Sequence, residues 1–334
     1  MKRSGNLFGQ ITCLDNLQLA FWKAQRGKSS NAEIIHYRQN LQANLLSMQK
    51  HLIDGSFPIG AYRRFKVMEP KERLICAASF PERVLHHAII NICEPVFERY
   101  AIFDSFACRK FKGSHVAVKR AFLFARRSQY YLKLDIAKYF ESIDHEVLNE
   151  KLKRIFKDRQ LLILFEKIIA SYETASAKGL PIGNLTSQHF ANFYLGPLDH
   201  YIKENLGRGL YIRYMDDFIT FGESKDEMKS LLKLIRAFLR TELRLELKND
   251  IRINENDEGI EFLGYRIYPD KIRLSRRSAR RFKRKFIACE KKLASNQWSE
   301  REYSRHMEPL IAFTKVAGAN AFRAAIISKY GAAA

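Results

Sequence analysis

Two short runs rich in β-formers, YIRY at residues 211–214 and FITF at 218–221, flank Met215, Asp216 and Asp217. No other stretch constrains the fold as tightly. Runs of this kind separated by a few residues read as a β-hairpin, which puts two carboxylates at its tip. A third acid lies at another strand end. Alternation over residues 131–136 places Leu132, Leu134 and Ile136 on one face and Tyr131, Lys133 and Asp135 on the other, as a strand's two-residue period requires. If these strands are neighbours in one sheet, Asp135 and Asp216 converge.

An Asp-Asp pair in a turn is ordinarily a solvated turn, because Asp hydrogen-bonds local backbone there. The charge of the chain changes that reading. There are 58 Lys and Arg against 36 Asp and Glu, a net of +22, so clustered, uncompensated acids suggest a metal site. The excess of positive charge also favours polyanionic partners, nucleic acid or an anionic membrane. No apolar run approaches the roughly 18 residues that a membrane span needs, and the first ten residues lack the apolar stretch of a signal peptide. The five cysteines are odd in number and form no CxxC pair, which fits reduced thiols. We therefore expect a cytoplasmic protein without a membrane partner.

The remaining elements set the fold class. Ser30 and Glu33 have the spacing of a capping box before an apolar-periodic helix that Gly55 ends. Pro81 opens a helix carrying Val84, Leu85, Ala88, Ile89 and Ile92, and Asp144 caps a helix with Val147, Leu148, Leu152, Ile155 and Phe156 as its stripe. Ser224 and Glu227 form a second capping-box pair before a helix to about residue 243, and strands are expected at 245–253 and 259–267. Strand, helices, hairpin, helix and strands in this order describe an antiparallel sheet covered by helices, hence α+β. From residue 271 to 330 there are sixteen Lys and Arg against four Glu. Arg273, Arg276, Arg277, Arg280, Arg281, Lys283, Arg284 and Lys285 crowd thirteen of those residues and would repel one another without a polyanion.

Nucleotidyl transfer needs two divalent cations about 4 Å apart, and Mg²⁺ prefers carboxylate oxygens and water. YMDD after YIR, with LKLDIAKYFESIDH some eighty residues upstream, resembles motifs C and A of reverse transcriptases. PKERLI (70–75), FPERVLHHAI (80–89), LPIGNLTSQHFANFYLGPLD (180–199) and FLGYRI (262–267) follow the family's order, so the resemblance covers roughly residues 60–270. Most bacterial members carry Gln-Gly early in motif B and Ser-Pro shortly after it. Here Ile182-Gly183 and Ser187-Gln188 stand instead, which is similar to the reverse transcriptases of diversity-generating retroelements. Such enzymes copy a template-repeat RNA with errors at adenines, and the cDNA replaces a variable region of a target gene.

The resemblance implies a right-hand polymerase: an N-terminal extension and fingers with inserted palm helices (1–125), a palm with motif B and the YMDD hairpin (126–268), and a basic helical thumb (269–334). It implies that Asp135 and Asp216 bind two Mg²⁺ ions, which Mn²⁺ can replace, with Asp217 assisting and the Ile136 carbonyl contributing. Phe140 takes the steric-gate position against a ribonucleotide's 2′-hydroxyl. Lys71 and Arg73 match the fingers motif that grips the dNTP triphosphate, and Ile182, Gly183 and Gln188 line the nascent pair. Arg83 and Arg109 are weaker candidates for phosphate contacts. Lys248 lies in the region of the motif that protonates the leaving pyrophosphate, with Arg252 nearby. Phe262, Leu263, Gly264 and Tyr265 resemble the primer grip, while Arg276, Arg277, Arg280, Arg281 and Arg284 would hold duplex phosphates. Implied partners are template RNA, cDNA primer and product, dNTPs, and a small basic accessory protein that forms a pentamer. Rival readings are a retron, group II intron or phage-defence reverse transcriptase, and a non-catalytic RNA-binding protein.

Overall fold

The computed structural model describes residues 2–68 and 72–331. The chain divides into two compact units whose boundaries interleave along the sequence. The helical unit comprises Met1–Phe103, Ile136–Tyr201 and Arg236–Leu247. Among its described residues one hairpin pairs β1 (Tyr62–Val67) antiparallel to β2 (Arg73–Ala78), and the rest of the regular structure is helical. Helix Phe80–Tyr100 starts where expected, with Ser79 as N-cap and Pro81 in its first turn, where a missing N–H costs nothing. Its face of Val84, Leu85, Ala88 and Ile89 is fully buried.

Two local expectations are corrected. Asn31, not Ser30, caps helix Ala32–Gln39, its Oδ1 accepting from the Glu33 N–H at 2.9 Å. The single helix expected before Gly55 is two, because the chain breaks at Asn40 before helix Leu41–Ile53. Asp144 does cap helix His145–Ile155, accepting from the Val147 N–H at 3.1 Å.

The sheet unit, Asp104–Asp135, Ile202–Ile235 and Lys248–Ala334, holds every other strand. β3 (Tyr130–Asp135), β4 (Tyr211–Tyr214), β5 (Asp217–Gly222) and β6 (Arg252–Glu255) form an antiparallel sheet in the order β4-β5-β3-β6. The segment expected as one strand over 259–267 is a tight hairpin of β7 (Ile260–Phe262) and β8 (Tyr265–Ile267), to which β9 (Ile272–Leu274) adds a third strand. Helix Ser114–Ala125 joins the two sheets: Val118, Ala121 and Phe124 pack in one cluster with Tyr131, Ile219, Phe221, Phe262 and Tyr265. Leu132 and Leu134 on the opposite face of β3 are equally buried.

Three C-terminal helices, Arg276–Ala294, Glu300–Lys315 and Asn320–Tyr330, enclose a small core of Phe282, Phe286, Cys289, Met307 and Ile326. Spacings of three and four residues put Phe282, Phe286 and Cys289 on one stripe of the first helix. Among the described residues no helix is long and apolar enough to cross a membrane. The α+β class expected from the order of elements is the class observed.

Candidate active site

Register brings the acids together. Asp135, the last residue of β3, lies directly opposite Asp217, the first of β5, so both side chains leave the same face of the sheet. Tyr214 pairs with Asp217, which leaves Met215 and Asp216 as a two-residue turn. Met215 takes φ +56°, the left-handed region that tight hairpin loops demand and that costs a residue with a Cβ about 1 kcal/mol. Arg213, fully buried, donates from Nη1 to the Met215 carbonyl at 3.0 Å, fixing the turn that carries Asp216.

Burial raises the carboxyl of Asp216 above the usual carboxylate range, and the negative charge of Asp135 raises it further. Burial pushes Asp217 up to about 6 against the opposing pull of Lys133. Lys133 Nζ lies 3.2 Å from Asp217 Oδ2, while Asp217 Oδ1 is buried without a hydrogen-bond partner. Lys248 holds Asp135 twice: its N–H donates to the Asp135 carbonyl at 2.8 Å and its Nζ lies 2.7 Å from Oδ1. That second contact is an ion pair without hydrogen-bond geometry.

This donor set fits a hard divalent cation. Like charges forced together at the edge of a core raise one another's pKa, and a cation between them removes the conflict. Among the described residues no three acidic, His or Cys side chains enclose an ion by themselves. Mg²⁺ commonly takes one or two carboxylates and completes its shell with water and substrate phosphate, so the pair of Asp135 and Asp216 is sufficient.

Other expected site residues fall in the helical unit. Ile136, fully buried, bridges to Leu247. Phe140 is half-buried, edge-on to Tyr139, and its carbonyl accepts from the Leu180 N–H at 2.7 Å. The Ile182 carbonyl accepts from the Cys76 N–H at 2.8 Å. Gly183 follows at φ +125°, and a Cβ there would lie 3.0 Å from Ile75 Cγ2 and 3.2 Å from the Cys76 carbonyl. Motif B is thus pinned to β2, the strand that begins at exposed Arg73. Gln188 lies in helix Leu185–Tyr194 and is half-buried. Lys71 lies outside the described residues.

The FLGY residues of the sheet unit divide by role. Phe262 and Tyr265 are core, with the Tyr265 hydroxyl donating to the Phe313 carbonyl at 2.6 Å. Leu263 (φ +50°) and Gly264 (φ +88°) form the turn between them. On helix Arg276–Ala294, Arg276, Arg277, Arg280 and Arg284 are exposed, whereas Arg281 lies over the Phe313 ring at 5.6 Å. Arg252 is engaged by Asp250 and Glu261. The role of Lys133 had a visible signal, a cation two residues before Asp135 on the same strand face. Arg213 had none, since nothing local marks a strand arginine as buried.

A family model described as reverse transcriptase (RNA-dependent DNA polymerase) matches residues 66–267. The chain belongs to the reverse transcriptase family. Protein YkfC of Escherichia coli (strain K12) is similar to this reverse transcriptase at 22% identity over 273 residues, covering 68% of this chain and 72% of that protein. A 91 kDa protein in cob intron of Schizosaccharomyces pombe is 27% identical over 180 residues, covering 52% of this chain and 21% of the relative. The fold is similar to that of telomerase from Candida tropicalis in complex with a TWJ fragment of telomeric RNA, at TM-score 0.50 and 11% identity, covering 82% of this chain and 55% of that one. This reverse transcriptase therefore spans about a fifth of the intron protein's length and about half of the telomerase chain's.

Proposed function

We propose that this chain extends a DNA primer on an RNA template by two-metal nucleotidyl transfer, and that it serves a diversity-generating retroelement. The observation that carries the chemistry is the convergence of Asp135, held by its register opposite Asp217, with Asp216 on the turn that Arg213 fixes through the Met215 carbonyl. Bound Mg²⁺ supplies Lewis-acid activation of the primer hydroxyl and charge neutralisation on the triphosphate. Asp135 and Asp216 would hold the ions, with Asp217 supporting. In this reading Lys248, whose ammonium lies 2.7 Å from Asp135 Oδ1, gives a proton to the leaving pyrophosphate. Phe140 excludes the 2′-hydroxyl, and Arg73 with Lys71 holds the triphosphate as cations suited to phosphate oxygens. Primer extension on an RNA template with Mg²⁺ tests this: wild type extends, and Asp135→Asn or Asp216→Asn does not.

Ile182 supports the assignment to a retroelement that makes errors. A branched aliphatic offers no hydrogen bond where most bacterial relatives of this type carry an amide, and its backbone is fixed to β2 by the Cys76 bond. Sequencing of cDNA made in cells is expected to find substitutions concentrated at template adenines, reduced in Ile182→Gln. Adding the basic pentameric accessory protein is expected to raise cDNA yield. A second reading, an intron-type enzyme, draws on the intron-encoded relatives at 27% and 21% identity. Faithful cDNA from the wild-type chain would select it.

A further inference from the structure

Residues 105–129 of the sheet unit carry seven Lys and Arg and no acid. Within them the loop before helix Ser114–Ala125 closes on itself. The Gly113 N–H donates to the Phe106 carbonyl at 3.0 Å, and the Lys112 N–H to the Arg109 carbonyl at 3.3 Å. The loop is also tied to β4: the Phe106 N–H donates to the Arg213 carbonyl and the Arg213 N–H to the Asp104 carbonyl, both at 3.0 Å. At its tip Phe111 is 86% exposed and takes φ +62°. Lys110 Nζ lies 5.0 Å from the ring centroid.

That combination is costly. A left-handed φ in a residue with a Cβ costs about 1 kcal/mol, and a ring left in water recovers none of it by burial. A strained residue that does nothing for the fold points to a task outside it. The surroundings specify the partner. An exposed π-face beside ammonium groups, in a segment free of acids, matches the pairing of stacking ring and cations by which proteins hold single-stranded nucleic acid.

We propose that Phe111 is a stacking platform for an unpaired base of single-stranded RNA, with Lys110 contacting an adjacent phosphate. The loop hangs on β4, the strand that leads into the Met215–Asp216 turn, so a strand held there belongs to the nucleic acid served by that turn. Only the identity of the strand as template rests on the polymerase reading.

The test is anisotropy with the full chain and a fluorescein-labelled single-stranded RNA of mixed sequence, without Mg²⁺ or dNTPs. Phe111→Gly is expected to weaken binding roughly tenfold or more, the scale of one base–aromatic stack, while keeping or raising the melting temperature, because glycine takes this φ freely. Phe111→Leu should lose affinity similarly. Phe111→Trp should keep it and show RNA-dependent quenching of the added emission. Wild-type affinity in the Gly and Leu variants, or a bound Trp variant without quenching, overturns the proposal. So does unchanged RNA affinity with lost binding of the accessory protein, which would make the loop a protein-docking element. A wild-type chain that binds RNA but extends no primer would sink the polymerase reading and leave this one standing.

Discussion

At the scale of single residues, three carboxylates of the sheet unit, Asp135, Asp216 and Asp217, share two lysines, Lys133 and Lys248. Replacing Asp216 by Asn removes a donor oxygen but keeps the shape of the turn. Extension is expected to fall by more than about 100-fold, since disturbing only the outer partners of a metal site costs 10–100-fold, with the melting temperature unchanged or higher because a like-charge conflict with Asp135 is relieved. A variant that loses both activity and stability would mean that Asp216 is structural. The placement of Asp135, Asp216 and Asp217 is legible in the sequence, because strand alternation and hairpin signals are local and the acids stand out in so basic a chain. Lys133 was visible only as a position. Its pairing with Asp217 depends on register between two strands far apart in sequence, which no local pattern encodes.

At the scale of elements, the turns carry the clearest expectations. Gly264 sits at φ +88°, and a Cβ there would lie 2.7 Å from Ser278 Oγ and 3.0 Å from Phe313 Cζ. Gly264→Ala should therefore destabilise by about 1–3 kcal/mol, the usual penalty of overpacking, read by urea unfolding. A neutral result would mean that β7-β8 tolerates displacement. The first C-terminal helix makes a different prediction, because Arg276, Arg280 and Arg284 share one exposed stripe. Removing one cation that neutralises a phosphate should flatten the slope of log affinity against log salt by about 0.9. Arg280→Ala with Arg284→Ala, measured on an RNA–DNA duplex, should flatten it by about twice that amount; an unchanged slope would make the stripe a solvated face. Helix stripes and the Asp144 cap could be read from sequence. The break at Asn40 has no such mark, and the β7-β8 hairpin is signalled only by the likeness of residues 262–265 to the primer grip, whose hairpin is tight.

At the scale of the whole molecule, buried groups of the two units respond to mild acid in opposite directions. In the helical unit burial lowers His87 and His189 to about 4, below the roughly 6.5 of a free imidazole. The unfolded chain then binds more protons between these values, so that unit loses stability as pH falls from about 6.5 towards 4. Asp217 in the sheet unit is raised to about 6, so its contribution runs the other way, present at low pH and lost as pH rises from about 4 to 6. Hydrogen exchange resolved by segment at about pH 7 and about pH 5 should show protection falling in helices Phe80–Tyr100 and Leu185–Tyr194 and not in β3 and β5. Equal loss in both would refute the assignment of these shifts.

The strand order β4-β5-β3-β6 also bears on how the enzyme comes into being. β3 acquires one neighbour only when residue 222 exists and the other only near residue 255, so every pairing that aligns Asp135 closes a long loop. Pairings of such separation form slowly. A growing chain thus cannot complete its reactive centre until residues 214–217 have been synthesised, and a chain released before then would carry Asp135 without the YMDD turn that gives this acid its chemistry.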